Sequence, residues 1–108
     1  MTLLDSIKKC FQRGQVYYSQ HARNEMLREE FGRIWEQEVY EAIQNGEIIE
    51  AYPEDKPFPS FLVLGKTSSG RPLHLVVAFD EETETSIIIT VYQPDPQKWI
   101  NFKQRKKT

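Results

Sequence analysis

The spacing of apolar residues divides the chain into a helical first part and a strand-forming second part. Apolar side chains recur at three- and four-residue intervals in residues 3–12, which predicts a first helix. A second helix is predicted from Gln20 to about Glu30 with Ser19 as its N-cap, and a third from Trp35 to Asn45. The stretch Val16–Ser19 between the first two helices is either an edge strand or an extended entry into the second helix.

After Gly46 the period of the pattern changes to two, which is typical of strands. Four strands are predicted, over residues 47–52, 60–66, 72–79 and 85–93. A loop with three prolines follows the first strand, and short turns join the last three into a meander. Helices followed by such strands predict an α+β fold. We expect one domain over residues 1–108, with N-terminal helices packed on an antiparallel sheet of about four strands.

The third predicted strand opens with polar residues that packing alone does not require. Arg71 and His74 stand at the start of an apolar run. Alternation places His74 on the face opposite the bulkier apolar residues, which we expect to meet the helices. His74 then lies on the open face of the sheet. If the next turn centres near Thr83, Tyr92 lies opposite His74, whereas a shift of one residue would bring Val91 there instead.

Two interpretations of these polar residues remain open. His74, Tyr92 and Arg71 on an open face, with Lys66 near them, would suit RNA cleavage by attack of the ribose 2′-hydroxyl. That reaction needs a base, an acid and cations for the developing negative charge, and it needs no metal. Alternatively, His74 is a structural histidine with satisfied hydrogen bonds, and Tyr92 is an ordinary residue at the sheet edge.

Charge is distributed unevenly along the chain. The net charge is −2, but five Lys and Arg residues lie beyond Asp95, so residues 1–97 carry −7. Trp99 and Phe102 are expected to dock a final turn ahead of a basic, frayed tail at residues 103–108. Such a tail is either a solvated terminus or an arm that meets the phosphates of a nucleic acid.

A second polar cluster, His21 and Arg23, lies in the first turn of the second predicted helix. The free N–H groups of a helix N-terminus favour an anionic ligand, although His21 equally suits local capping or packing. No pair of candidate ligands has the spacing of a metal motif, and we expect no cofactor. No apolar run approaches the ~20 residues of a membrane helix, and the first residues lack signal-peptide order, so a cytoplasmic protein is expected.

Four blocks, in order along the chain, carry a resemblance to a known family. They are Ser19-x-His21-Ala22-Arg23, Gly46-Glu47-Ile48-Ile49-Glu50-x-Tyr52-Pro53-x-Asp55-x-Pro57-x-Pro59-Ser60, Gly70-Arg71-Pro72-Leu73-His74 and Ile89-Thr90-Val91-Tyr92-x-Pro94-Asp95-x-x-x-Trp99. From about Tyr17 to Trp99 the chain resembles the proteins grouped as domain-of-unknown-function family 4258. It departs from their pattern at Asn24-Glu25 and at residues 30–34, where the family commonly has a further basic residue and an Arg-Gly-Ile turn.

The resemblance implies a fold and a function. The family is similar to the RelE/ParE-like toxins, whose fold packs helices on a small antiparallel sheet. Its genes often neighbour those of small zinc-ribbon or helix-turn-helix proteins, which implies an antitoxin partner and a type II toxin that cleaves RNA. His74 would be the general base or acid and Tyr92 its proton partner, and His21 would orient or share the acid–base work. Arg71, Arg23 and Lys66 would contact phosphate. The alternative is a non-catalytic module of the same fold that binds nucleic acid or protein.

Overall fold

Three helices precede most of the strands, as the apolar pattern predicts. The computed structural model describes residues 2–107, and its helices are α1 (Leu3–Arg13), α2 (Gln20–Arg28) and α3 (Glu36–Gln44). The hydroxyl oxygens of Thr2 and Ser19 accept hydrogen bonds from backbone N–H groups in the first turns of α1 and α2, so both helices begin at a side-chain cap. Within residues 2–107, no helix is long and apolar enough to cross a membrane.

The main sheet has five strands, one more than predicted. They are β1 (Val16–Tyr18), β2 (Glu47–Tyr52), β3 (Ser60–Lys66), β4 (Pro72–Asp80) and β5 (Thr85–Tyr92), in the spatial order β1-β5-β4-β3-β2. The three strands β3, β4 and β5 form the predicted antiparallel meander. The additional strand is β1, which pairs in parallel with the first half of β5. The structure confirms the α+β class.

A β-bulge in β5 breaks the alternation that the sequence pattern assumes. Val77 lies opposite Ile88, but Val76 lies opposite Thr90, so Ile89 is an extra residue on β5. Strict alternation along residues 85–93 would place Ile88 on the same face as Tyr92, but the extra residue moves Ile88 to the opposite face. Because of the bulge, Ile88 and Val91 both lie in the core under the helices.

The main core lies between the helices and one face of the sheet. Its buried side chains come from all three helices and from the central strands; they include Ile7, Phe11, Ala22, Met26, Val39, Ile43, Val63, Leu75, Val77, Ile88 and Val91. Helix α3 packs directly on β3 at Gly65, where an added Cβ would lie 1.9 Å from the carbonyl oxygen of Ala42. A side chain at Gly65 would therefore push α3 off the sheet.

The opposite face of the sheet is covered by a short C-terminal hairpin. Its strands are β6 (Trp99–Ile100) and β7 (Gln104–Arg105), and positive φ angles at Asn101 and Phe102 form its tight turn. Lys103 lies 2.9 Å from a carboxylate oxygen of Glu47 and Arg105 lies 3.5 Å from one of Glu50. Residues 103–105 are thus part of an ordered element, which differs from the frayed tail expected for residues 103–108.

Candidate functional site

A hydrogen-bonded histidine–tyrosine pair joins β4 to the end of β5. The register pairs His74 with Tyr92, as predicted, and the Tyr92 hydroxyl lies 3.0 Å from Nδ1 of His74. The other ring nitrogen, Nε2, lies 2.6 Å from the carbonyl oxygen of Phe102. Because a carbonyl oxygen can only accept, Nε2 carries the hydrogen and Nδ1 of the neutral ring accepts from Tyr92. The partners thus assign one tautomer to His74.

The prediction that His74 lies on an open face is wrong. Its exposed fraction is 0 %, because the C-terminal hairpin covers it and Trp99 packs edge-on with ring centroids 4.4 Å apart. Burial lowers the pKa of His74, although the Phe102 carbonyl and the charge of Glu50 oppose this shift. Burial also raises the pKa of Tyr92 to about 12. Both groups are therefore neutral near pH 7.

Tyr92 borders a cleft of about 510 Å³, which we call the α2–β5 cleft. One wall is α2 with the residues that follow it, and the other is the end of β5 with residues 93–99. The lining residues are His21, Asn24, Glu25, Arg28, Glu29, Glu30, Phe31, Tyr92, Gln93, Asp95, Lys98 and Trp99. Both histidines of the chain are therefore associated with one cleft, His21 on its wall and His74 through Tyr92.

His21 is exposed and lies one helical turn from Glu25. Its Nε2 is 3.3 Å from a carboxylate oxygen of Glu25, and two-thirds of its side chain is accessible to solvent. Burial raises the pKa of Glu25, while the backbone N–H of Val91 and the neighbouring His21 act in the opposite direction. An accessible imidazole beside a carboxylate can accept a proton from a bound ligand and hold it.

Most carboxylates of the cleft already accept backbone hydrogen bonds. Glu25 accepts from Val91 N–H at 3.0 Å, and Glu29 accepts from Gln93 N–H at 3.3 Å. Asp95 accepts from Gln97 N–H at 2.8 Å. Three of the four acidic residues thus hold the surrounding backbone in place. The basic side chains of Lys and Arg on the lining are those of Arg28 and Lys98.

Arg71 lies outside the cleft and is engaged by other parts of the protein. Its Nε donates to the Gln93 side chain at 2.6 Å, and Nη1 lies 3.2 Å from both carboxylate oxygens of Glu38. Its guanidinium also donates to the carbonyl oxygens of Gly32 and Arg33. Arg71 therefore fixes the loop between α2 and α3, and its guanidinium is not free for the phosphate contact expected from the sequence.

Arg23 and Lys66 are also absent from the lining of the cleft. The Arg23 guanidinium lies 5.2 Å from the centre of the Tyr18 ring and borders a different cavity, on another side of α2. Lys66 lies at the end of β3, where its backbone pairs with the Asn45 side chain. The structure brings together His21, Tyr92 and His74, but it does not bring Arg71, Arg23 and Lys66 to them.

Sequence reasoning missed the cations that do line the cleft. Arg28 follows His21 by seven residues, or about two helical turns, so helical spacing would have placed them on one face. Lys98 was counted only with the basic tail. Among residues 2–107, no three His, Cys, Asp or Glu side chains form a group that could hold a metal ion.

The fold and the cleft define an α+β domain with a tyrosine–histidine pair and an exposed histidine at one polar cavity. The chain belongs to the family described as Domain of unknown function (DUF4258), whose model matches residues 18–93. The match includes His21, His74 and Tyr92 and ends before Lys98 and the C-terminal hairpin. Searches of curated proteins and of solved structures give no match to the chain.

Proposed function

We propose that the protein is a metal-independent ribonuclease of the RelE/ParE-like superfamily that cleaves RNA in the α2–β5 cleft. Its biological role would be that of a cytoplasmic toxin in a type II pair, with a small zinc-ribbon or helix-turn-helix protein as antitoxin. One observation carries the catalytic part of the proposal, namely that His21 and Tyr92 line a single cleft and that Tyr92 is hydrogen-bonded to the buried His74. The family resemblance supports the biological role.

The positions of the three residues suggest how they would divide the reaction. His21 reaches the cleft and takes the proton of the ribose 2′-hydroxyl as that oxygen attacks phosphorus. Tyr92 is protonated near pH 7, and without RNA its hydroxyl donates to Nδ1 of His74. During the reaction this hydrogen bond is given up and the hydroxyl gives its proton to the departing 5′-oxygen, so the new P–O2′ bond replaces the P–O5′ bond. His74 is buried behind Tyr92 and acts as a positioning residue that orients its hydroxyl.

Cations near these groups would stabilise the negative charge that develops during the reaction. Arg28 and Lys98 line the cleft and are placed to contact the phosphate. The charge of Arg105 favours the ionised form of Tyr92 and thus its release of a proton. Since Glu25, Glu29 and Asp95 accept backbone hydrogen bonds, part of the negative charge on the walls is already compensated.

A second candidate function is a non-catalytic binding module. The observation that favours it is the charge of the lining, which contains four carboxylate residues but one arginine and one lysine. Residues 1–97 also carry a net charge of −7, which weakens the long-range attraction of RNA. A module of this kind would hold a protein or nucleic acid in the cleft without breaking a bond.

The experiment that separates the two functions is cleavage of end-labelled RNA, both free and bound as messenger on ribosomes. The variants are Tyr92→Phe and His21→Asn, and the matched control is Tyr17→Phe, which alters an exposed tyrosine outside the cleft. We expect each cleft variant to lower the rate by about 100-fold or more and the control to cleave at the wild-type rate. Products should carry 2′,3′-cyclic phosphate ends.

Two outcomes contradict the ribonuclease proposal. Equal cleavage by wild type and both cleft variants would mean that the cleavage does not come from this cleft. Binding of RNA that weakens steeply with salt, without cleavage of either substrate, would support the binding module instead.

A further inference from the structure

A second cavity of about 410 Å³ lies on another side of α2, between this helix and the chain that leads into α3. We call it the α2–α3 groove. Its lining residues are Gln20, Arg23, Met26, Leu27, Arg33, Ile34, Trp35 and Glu36. Met26 and Ile34 are buried, whereas Leu27 and Trp35 are 56 % and 54 % exposed. The groove therefore combines a buried apolar base with large apolar side chains that remain open to solvent.

Leu27 and Trp35 are exposed on a part of the surface whose shape is fixed by hydrogen bonds. The backbone N–H of Ile34 donates to the carbonyl oxygen of Met26 at 2.8 Å, which closes the loop onto α2. Arg71 fixes the same loop through the carbonyl oxygens of Gly32 and Arg33. Apolar side chains exposed together on a fixed surface typically mark an interaction site.

The charge of the groove differs from that of the body of the protein. The Arg33 guanidinium lies 3.8 Å from the centre of the Trp35 ring, and that of Arg23 lies over Tyr18. Within residues 2–107, neither arginine forms an ion pair with a carboxylate. Glu36 is the acidic residue on the lining. Two arginines without carboxylate partners thus flank an apolar groove on an otherwise acidic body.

We propose that the α2–α3 groove binds an acidic amphipathic helix of a partner protein. Aliphatic side chains of that helix would pack between Leu27 and Trp35, and its carboxylates would pair with Arg23 and Arg33. Protein is favoured over RNA because the base of the groove is aliphatic and because arginines already stack on the aromatic rings. The α2–β5 cleft is lined by different residues, so this proposal does not depend on cleavage of RNA.

The test is titration of the full-length, ¹⁵N-labelled protein with three synthetic peptides of about 18 residues, or five helical turns. The first peptide has a leucine stripe and glutamates on its other face. The second replaces the glutamates by lysines, and the third replaces the leucines by serines. We expect the first to shift the Trp35 indole and Leu27 amide signals saturably, and the other two to bind at least about tenfold more weakly. The indole of the buried Trp99 is the internal reference.

A charge reversal tests the role of the arginines. The double variant Arg23→Glu/Arg33→Glu changes only exposed side chains, and we expect it to bind the first peptide at least about tenfold more weakly. The matched control Arg13→Glu alters an exposed arginine at the end of α1 and should bind as the wild type does. Circular dichroism checks that both variants retain the fold.

Three outcomes overturn the proposal. The first is the absence of a shift at Trp35, or equal shifts with all three peptides. The second is a larger shift of the same signals with single-stranded RNA, which would identify a nucleic-acid surface. The third is self-association in light scattering that Leu27→Asp abolishes, which would identify a second copy of the chain as the occupant.

Discussion

At the scale of single residues, Arg71 directly before β4 and His74 within it each connect this strand to a distant part of the chain. Arg71 donates to carbonyl oxygens of the α2–α3 loop, and His74 donates from Nε2 to Phe102 in the C-terminal hairpin. Their positions at the start of an apolar strand are explained by these connections. His74 is also the hydrogen-bond partner of Tyr92, so its structural role and its proposed positioning role depend on the same neutral imidazole.

A dependence of stability on pH follows from the burial of His74. Its pKa is lowered in the folded protein, so below about pH 6.5 the unfolded chain binds the proton more readily than the folded one. The contribution of His74 is therefore fully present above that pH and is lost as the pH falls toward the folded-state pKa. We expect this residue to make the folded protein less stable at pH 5 than at pH 7.5. Urea unfolding at a series of pH values measures it.

Two histidine variants assign this loss to one residue. His74→Gln should remove the part of the pH dependence that His74 causes, whereas His21→Gln should keep it because His21 is exposed. If His74→Gln does not fold, NMR titration of the ring protons in the wild type gives the pKa directly. A His74 pKa at or above the ordinary histidine value would contradict the prediction.

At the scale of secondary-structure elements, α2 protects an incomplete strand edge. Strand β1 pairs with β5 only as far as Ile88, and the next N–H groups along that edge would otherwise be free. The carboxylates of Glu25, on α2, and of Glu29, at its C-cap, accept from the backbone N–H groups of Val91 and Gln93. A helix thus supplies the acceptors that a neighbouring strand would normally provide.

Removal of these acceptors should loosen the end of β5. The double variant Glu25→Ala/Glu29→Ala leaves the N–H groups of Val91 and Gln93 without their partners, at a cost of about 1 kcal/mol for each bond. We expect hydrogen exchange at these two amides to become about tenfold faster. The matched control Glu25→Gln/Glu29→Gln keeps a carbonyl acceptor at both positions and should exchange more slowly than the alanine variant. Equal exchange in wild type and alanine variant would show that other groups protect the edge.

The apolar pattern predicted the elements well but not how β5 pairs. Strands β2 and β3 have the predicted limits, because Gly46 and Pro53 flank β2, and Pro59 and a polar turn flank β3. The three consecutive isoleucines at 87–89 contain no alternation, so the bulge at Ile89 could not be predicted from them. The turn after β4 centres slightly before Thr83, since Asp80 pairs with Thr85. If β5 had no bulge at Ile89, this turn would bring Val91 opposite His74. The predicted pairing of His74 with Tyr92 is therefore correct because of a bulge that the sequence did not indicate.

The candidate site was predictable only in part, because the periodic pattern of the sequence shows which residues share a face but not which segment covers that face. Alternation placed His74 and Tyr92 on one face, and the position of His21 near a helix N-terminus suggested an accessible group. Trp99 was expected to dock, and it is buried. The sequence did not show that it docks against His74. That contact depends on how a hairpin folds back across the sheet, and a periodic pattern contains no information about such a contact.

At the scale of the whole molecule, part of the uneven charge along the sequence is explained by basic residues near the C-terminus that pair with acidic residues of the sheet. The C-terminal hairpin is basic, and it lies against the acidic strand β2 through Lys103–Glu47 and Arg105–Glu50. The guanidinium of Arg105 also lies 4.7 Å from the centre of the Trp99 ring. The sheet is therefore covered on both faces, by helices on one and by the hairpin on the other. Lys103 and Arg105, which were expected to lie in a frayed tail, instead form ion pairs that join the hairpin to β2.

The C-terminal hairpin should consequently contribute much of the stability of the protein. A chain that ends after Gln97 loses Trp99 and Phe102 and exposes His74, together with Leu64, which is buried in the full chain and lies near Phe102. We expect a loss of about 3 kcal/mol or more in the free energy of unfolding, comparable to the removal of a buried tryptophan. Urea unfolding followed by circular dichroism measures this loss.

A second truncation provides the matched control for that experiment. A chain that ends after Lys106 keeps both hairpin strands and the hydrogen bond from Lys106 N–H to the Lys98 carbonyl oxygen, 2.9 Å long. Its stability should lie within about 0.5 kcal/mol of the full chain. If the chain that ends after Gln97 cannot be obtained folded, Trp99→Ala in the full-length protein tests the contribution of the hairpin instead. Equal stability of that variant and the wild type would show that the helix-side core alone maintains the fold, and that the hairpin serves only to enclose His74.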